Sequence, residues 1–525
     1  MSSSPNMFHF NDFNNNYIED PDYIRDHIGD FYKDTCIFVT GATGFVGKAL
    51  VDKLLRSCSG LNSIYLLMRP KKGRAIEERL KELLDNPVFS SIKKRNPDIL
   101  NRIKAVAGDI TLPNLGISAK EYQMLIERIN VVFHSAATVR FDEELRNAFI
   151  HNTLGTKKVL EMCNKMQQLK SFVYVSTAYS NSDKENIDES VYELPFDYET
   201  IMNSIEMLPQ EAAEVLSKKL LGRHPNTYTL TKAMAEHIVL KHSDLIPSAI
   251  VRPSIITASW KEPQPGWVDS VSGITGIFME VGRGTIKSII CKENMKMDII
   301  PVDTVINTVL TAAWHTVAYR SNTMRVYNCT SGNTNPITWK EFRLLTEKYS
   351  KEYPSKYVTW YPGITYRTNR ALHAVCVNLF HHIPAAILDV FLFMTKRKPF
   401  MLKMSRKFEE AIMAGKFFST NQWNFEVTSM RSLTKAVQMA NDGEHFDVDI
   451  SENNGFKWDD YVKNFILGVR QFILKDDLSS LNQARSKLNR LYWFQKMLHM
   501  MTFCVVTKMA LSVLMASMSR NTLEL

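Results

Sequence analysis

The sequence predicts an α/β fold: a doubly wound parallel sheet, continued by a mostly helical C-terminal domain and an apolar C-terminal tail. Three observations predict it. Short apolar strand patterns alternate with helical patterns through the first half of the chain, as a parallel sheet covered by helices on both faces requires. A glycine-rich turn joins the first strand to the first helix. After about residue 340 the strand signals stop and apolar residues recur mainly at helical spacing.

Residues 1–33, rich in Asn, Asp and Tyr and lacking a basic segment before an apolar core, read as a mobile leader rather than a secretory signal. Cys36-Ile-Phe-Val-Thr40 is a short buried-strand pattern, followed by glycines and a helical run over 46–55. The next strand covers 63–69, and Ile76, Leu80, Leu83 and Leu84 then recur at helical spacing. Four more apolar strands fall at 103–107, 131–134, 172–176 and 249–252. Together these place one domain over 34–345. Residues 351–367, with Pro354, Pro362 and Gly363, read as a linker or wrapping loop within the start of a helical domain over 346–480. Within that domain the apolar run 383–394, followed by Lys396-Arg397-Lys398, is too short to span a bilayer and suits a buried helix or a membrane-surface patch.

The tail, 481–525, is basic and then apolar. Arg485, Lys487, Arg490 and Lys496 precede the stretch 497–519, whose strongly polar side chains are His499 and Lys508. That length can span a bilayer, but a lysine near its middle is costly. Spanning, lying in the interface and burial against the protein itself all stay open.

Composition sets outer bounds. With 525 residues, 45% hydrophobic and 23% charged, the chain is a folded protein of two or three domains. The net charge of +9 is spread out, with no stripe of basic residues interleaved with aromatics, so nucleic acid is not an expected partner. An acidic ligand or an anionic membrane accounts for the surplus. Seven scattered cysteines without a C-x-x-C pair fit neither a disulfide framework nor a zinc site, and point to a reducing compartment.

Thr40-Gly-Ala-Thr-Gly-Phe-Val-Gly47 sits between a strand and a helix, the context in which such a turn binds a dinucleotide. Gly41 permits the tight turn, Gly44 lets backbone approach a pyrophosphate, and Gly47 lets the helix pack closely on the sheet. Thr40, Thr43, Phe45 and Val46 complete this candidate site, with helix N–H groups offered to the phosphates. Where an acid would bind the ribose of NAD, this chain has Arg69, with Arg79 about one helical turn on; a guanidinium suits a 2′-phosphate, so NADPH is expected. Lys71, Lys72 and Arg74 read as a solvated helix face. Asp109 with Ile110 follows the third strand, near the expected adenine. Ala136 and Ala137 give small residues after the fourth, and His134 reads as packed rather than catalytic.

Tyr228-Thr-Leu-Thr-Lys232 begins a helical pattern that puts Tyr228 and Lys232 on one face, one turn apart. A phenol is a weak acid–base group at neutral pH; a neighbouring ammonium and the charge of the nicotinamide are expected to favour the phenolate, so that the tyrosine can give a proton to a carbonyl oxygen. Ser176 and Thr177 end the fifth strand, and alternation sends them to opposite faces, so only one can meet the substrate oxygen. Thr177 is the expected one.

These motifs, with Leu67-Met-Arg-Pro70, His134-Ser-Ala-Ala-Thr-Val-Arg-Phe141, Asn152-Thr-Leu-Gly-Thr156, Arg252-Pro-Ser254, Glu262-Pro-Gln-Pro-Gly-Trp-Val-Asp269 and Ile300-Pro-Val-Asp303, make the chain resemble an extended short-chain dehydrogenase/reductase. More narrowly, it resembles an alcohol-forming fatty acyl-CoA reductase with a male-sterility-type helical domain, over about residues 34–475. The resemblance implies a Rossmann-type fold, two NADPH per long-chain acyl-CoA reduced to a primary alcohol, and roles for Gly41, Gly44, Gly47, Arg69, Thr177, Tyr228 and Lys232. Asn152 and Pro253 join the expected cofactor residues. It also implies membrane association through the tail, catalytic domain to the cytosol, at endoplasmic reticulum or peroxisome. Ser270 and Gly273-Ile274 depart from the Asn and Gly-Pro common there in the family, where the substrate pocket is expected to differ. The 50 residues between Thr177 and Tyr228, with Ile201, Ile205, Met207 and Leu208, read equally as an acyl lid or a surface excursion. An aldehyde-forming reductase, a sterol or nucleotide-sugar dehydrogenase and a non-catalytic membrane scaffold remain as alternatives, and a homo-oligomer stays open.

Overall fold

A computed structural model describes residues 25–70 and 73–521. Most of the expected leader, residues 1–24, together with Lys71 and Lys72, therefore lies outside the described residues. From residue 28 the leader reading does not hold. Helix Ile28–Phe31 buries both its end residues, the Tyr32 hydroxyl donates to the Leu310 carbonyl at 2.7 Å, and the Asp442 carboxylate accepts from Ile28 and Gly29 N–H. The apolar spacing of Ile28, Phe31 and Tyr32 outweighs the polar composition around it.

Seven parallel strands form the central sheet: β1 (Cys36–Thr40), β2 (Ser63–Met68), β3 (Ile103–Ala107), β4 (Val131–His134), β5 (Ser171–Val175), β6 (Ser248–Pro253) and β7 (Arg325–Cys329). Their order is β7-β6-β5-β4-β1-β2-β3. The register of β1 is fixed on both sides, Cys36 opposite Ser63 and Ile37 opposite Val131. Full burial explains why β1, β4 and β5 read as continuous apolar runs, whereas β3, at the edge, exposes Lys104. The seventh strand is absent from the sequence reading because Arg325-Val-Tyr-Asn-Cys329 mixes polar with apolar residues. Its Asn328 is tolerated inside because its side chain donates to the Ile187 and Glu426 carbonyls.

Helices cover both faces. On one side α3 (Ala119–Arg128), α4 (Leu145–Phe149 continuing through a π-turn, Ile150–Leu154, into Gly155–Cys163) and α5 (Thr227–His242) pack on Phe38, Val132, Phe172, Tyr174 and Ile250. On the other, α6 (Val302–Ala318) lies on β5 and β6 and beside α1 (Phe45–Ser57). The helix α2 (Ile76–Leu84) follows β2. Strand order reverses between β1 and β4, and in such sheets ligands bind outside the strand ends at that point.

The described chain divides into two units, each discontinuous: one comprises residues up to Asp269, Met295–Thr338 and Asn421–Tyr461, the other Ser270–Asn294, Trp339–Thr420 and residues from Val462 on. A linear reading gives single cuts, whereas the folded chain leaves and rejoins each unit. The second unit contains the paired strands Ser288–Ile290 and Thr365–Arg367 and three long helices: α7 (Arg370–Met394), α8 (Met401–Thr420) and α9 (Leu481–Asn521). The run 383–394 is thus the second half of a 25-residue helix, and among the described residues α7 is the one helix long and apolar enough to cross a membrane. Its first half is mostly apolar too, but four polar residues (His373, Asn378, His381 and His382) interrupt it and hide the continuity. Within the unit His373 bonds Ser288 and Glu409, and His381 accepts from Lys287 N–H. The expected loop at 351–367 receives α9: Trp360 and Tyr361 pack on Phe494 and Tyr492. All seven cysteines are free, and Cys504 alone is exposed.

Candidate active site

The turn after β1 is built around what a Cβ would strike. Gly41 has φ +79°, and a Cβ there would lie 2.7 Å from the Ala136 nitrogen. One on Gly47 would lie 2.3 Å from the Gly41 oxygen. Gly44 is extended and forms the N-cap of α1 with no capping side chain, so the first-turn N–H groups of Phe45, Val46 and Gly47 face an uncapped end. Thr43 and Gly44 are exposed; Phe45 and Val46 are half-buried. This cradle, closed to side chains and open to an anion at a helix start, fits a dinucleotide pyrophosphate.

The helix behind the turn is strapped down by the segment the sequence marks with Gly-Trp-Val-Asp. Trp267, fully buried, packs on Phe45 with ring centroids 5.1 Å apart. Asp269 pairs with Lys48, and Glu262 with Lys53 and Arg56. Buried Asp303 in turn accepts three backbone N–H groups, from Trp260, Lys261 and Glu262 at 2.8, 2.7 and 2.9 Å.

Around the rim, Arg69 is exposed at the end of β2 and its carbonyl accepts from the Arg79 guanidinium. Among the described residues neither arginine pairs with a carboxylate, whereas Arg74, which precedes α2 rather than lying on a helix face, pairs with Glu82 at 2.8 Å. Asp109 caps the turn at Thr111, whose N–H and hydroxyl both donate to it at 2.9 Å. Ile110 is buried against Gly155. Ala136 and Ala137 are half-buried after β4, and Pro253 ends β6 within the core.

Two expected cofactor residues have their side chains withdrawn. The Thr40 hydroxyl is buried against His134 Nδ1 at 2.6 Å, because strand alternation turns it into the sheet. Asn152 donates to the Thr138 carbonyl and the Thr231 hydroxyl and accepts from Thr138 N–H, tying the loop after β4 to α5. Both shape the site from behind. His134, bonded also to Thr156 at 2.9 Å, is pushed down to about 3 by burial and by Lys232, which makes it a neutral packing residue.

Helix α5 starts at an Asn226 cap, whose side chain accepts from Thr229 N–H. This sets Tyr228 and Lys232 one turn apart, facing the end of β5. The Thr177 hydroxyl stands beside the Tyr228 phenol and favours its ionised form, and Phe141 packs on the ring with centroids 5.9 Å apart. Lys232 donates to the Val175 carbonyl at 2.8 Å, over the Tyr174 ring. Ser176 points the other way and donates to Glu236 at 2.5 Å, while Arg252 grips both Glu236 oxygens at 2.9 and 2.7 Å.

The lysine by itself does not lower the phenol. Burial pushes Tyr228 up to about 12, Glu236 adding to it and Thr177 opposing. Lys232 is itself driven down to about 7 by burial, with Glu236 partly restoring it, so its charge does not act as the sequence argument supposed. The Glu236–Arg252 pair lies outside the sequence-based expectations. The available signal was the spacing: Glu236 stands one helical turn beyond Lys232, on the same face. In the segment between Thr177 and Tyr228, helix Tyr198–Met207 buries Ile205 in the core and exposes Met207, and Arg146 holds the Ile205 and Leu208 carbonyls.

A Rossmann-type sheet, a side-chain-free phosphate cradle and a Tyr–Lys helix facing a threonine at a strand end define a class, the nicotinamide-dependent reductases of the extended short-chain type. An NAD-binding family model described as male sterility protein matches residues 39–309, and a second of the same description matches 380–476. Fatty acyl-CoA reductase 1 of Mus musculus is 36% identical over 464 residues, covering 88% of this chain and 89% of that protein. Fatty acyl-CoA reductase 2 of Mus musculus is 34% identical over 494 residues, covering 94% and 95%. Among solved structures, the terminal R domain from the myxalamid PKS-NRPS biosynthetic pathway superposes with a TM-score of 0.56 at 19% identity, over 84% of this chain and 91% of that one. The R domain of a non-ribosomal peptide synthetase from Mycobacterium tuberculosis gives 0.55 at 18%, over 84% and 92%; these two likenesses show the fold. The chain belongs to the fatty acyl-CoA reductase family. It is an oxidoreductase that reduces fatty acyl-CoA with a nicotinamide cofactor.

Proposed function

We propose that the chain reduces long-chain fatty acyl-CoA to the primary alcohol, consuming two NADPH and two protons and releasing CoA. The observation that carries the mechanism is the Thr177–Tyr228 hydroxyl pair at the end of β5, with Ser176 diverted to Glu236. When bound, the nicotinamide supplies hydride to the carbonyl carbon. Thr177 and Tyr228 donate to the carbonyl oxygen as charge builds there. Held up at about 12, the Tyr228 phenol is protonated at neutral pH and serves as the acid that delivers a proton to that oxygen in the aldehyde step. Lys232 braces the strand end through Val175 and orients the phenol from one turn away. The preference for NADPH is supported by Arg69, just after β2, and Arg79 in α2, which bonds the Arg69 carbonyl; among the described residues neither pairs with a carboxylate. Membrane attachment through α9 is supported by exposed Phe503, Val505, Val506 and Met509, which suits an enzyme with an insoluble product and a cytosol-facing catalytic domain at the endoplasmic reticulum or peroxisome.

The test is an incubation of detergent-solubilised protein with NADPH and acyl-CoA of varied chain length, products being separated by gas chromatography. Fatty alcohol from the wild type and none from Tyr228→Phe is the expected result. Aldehyde alone would end the reaction one hydride earlier, and turnover equal with NADH would remove the NADPH preference.

A further inference from the structure

Helix α7 is apolar nearly all round, yet only 22% of its apolar window is buried. One narrow stripe, His373, Cys376, Val377, His381 and Ala385, is fixed to its own unit, by hydrogen bonds to Ser288, Glu409 and Lys287. The rest of its surface carries Leu379, Phe380, Ile387, Leu388, Phe391 and Phe393 in the open, Phe391 at 63% and Phe393 at 73% exposure. A helix apolar on every side belongs in a core or in lipid, and this one is in no core.

What covers it is set by the residues that follow. The chain turns at 395–400 and returns as α8, packed along α7. Six exposed cations, Lys396, Arg397, Lys398, Lys403, Arg406 and Lys407, crowd this return, against a single exposed acid, Glu410. The other carboxylates are engaged: Asp389 caps the start of α8 through Phe400, Met401 and Leu402 N–H, and Glu409 bonds His373. A broad apolar face bordered by unneutralised cations matches an anionic bilayer surface, with acyl chains for the one and phosphates for the other. It does not match passage through the bilayer. Although α7 is long enough, Asp389 sits on it and the charged α8 is packed against it, and neither can enter the hydrocarbon.

We propose that the α7–α8 hairpin is a membrane-surface element that lies flat on anionic phospholipid, with α7 in the acyl boundary and the basic return at the headgroups. It ends at residue 420 and the tail begins at 481, so, with the tail attachment proposed above, the protein meets the membrane at two places.

The test uses the full chain with Cys504→Ser, which removes the exposed thiol, and Phe391→Cys carrying a polarity-sensitive dye. Adding phosphatidylserine-containing vesicles should shift the emission to the blue and make it quenchable by a nitroxide near the headgroup more than by one near the chain end. A parallel variant with Lys396→Glu, Arg397→Glu and Lys398→Glu should bind those vesicles at least about tenfold more weakly, with binding to pure phosphatidylcholine unchanged. An unshifted dye, while the same dye placed at Phe503 in the tail does shift, overturns the proposal and leaves the face to a protein partner. Stronger quenching near the chain end overturns it in favour of a spanning helix.

Discussion

The Val175 carbonyl, the Ser176 hydroxyl and the Thr177 hydroxyl each meet a different side chain of α5: Lys232, Glu236 and Tyr228. Adjacent residues thus have separable duties. Thr177→Ala is expected to lower kcat by about 10²-fold or more, since it removes a donor to the developing oxyanion. Ser176→Ala should leave kcat nearly unchanged and cost about 1–3 kcal/mol of stability, because a buried carboxylate loses a partner. Kinetics beside thermal unfolding separate the two; the reverse pattern would exchange their roles. The lysine gives a pH signature. With Lys232 brought down to about 7, the free enzyme loses that charge as pH rises through neutrality, which weakens its bond to the Val175 carbonyl and the brace on the strand end, so kcat/KM should fall on the alkaline side. Lys232→Arg stays charged throughout, and its slower reaction should lack that limb. At the rim, Arg69→Glu should raise KM for NADPH by roughly 10–100-fold and barely change that for NADH. Equal effects on both would remove Arg69 from the 2′-phosphate.

The element under most constraint is α1. Its N-terminus faces the site, and its outer side is held by Trp267, Asp269 and Glu262. Gly47→Ala would put a Cβ 2.3 Å from the Gly41 oxygen, so the helix must move away from the turn. The expected result, read by fluorescence titration, is NADPH binding weakened at least about tenfold, with about 1–3 kcal/mol lost from the fold. Trp267→Ala empties a fully buried site in the same unit and should cost about 3–5 kcal/mol, measured as a lower Tm with the substrate-side hydroxyls intact. The Gly-Trp-Val-Asp segment drew notice in the sequence as a family mark near the substrate. Its packing against α1 was not legible there, since the two stretches are over 200 residues apart and meet only through the fold.

At the scale of the molecule, deletion of residues 497–525 should reduce, without abolishing, co-sedimentation with anionic vesicles, because α7 remains. Complete release would assign all membrane contact to the tail. The length of α7 shows how reading along the chain falls short: His373, Asn378, His381 and His382 interrupt the apolar residues of its first half, and the partners that satisfy His373 and His381 appear only in the fold.

Sequence alone determined the alternating sheet, its glycine cradle and the Tyr228–Lys232 pair, because these rest on local rules: apolar runs for buried strands, φ above zero for Gly41, and one helical turn between reacting groups. Strand alternation also separated Ser176 from Thr177. Tertiary structure decided what depends on neighbours distant in the chain. It turned Thr40 and Asn152 inward, paired Glu236 with Arg252, gave β7 its place through Asn328, and raised the Tyr228 phenol where a nearby lysine had suggested the opposite. Burial sets the energy of a polar group, and burial is a property of the assembled chain.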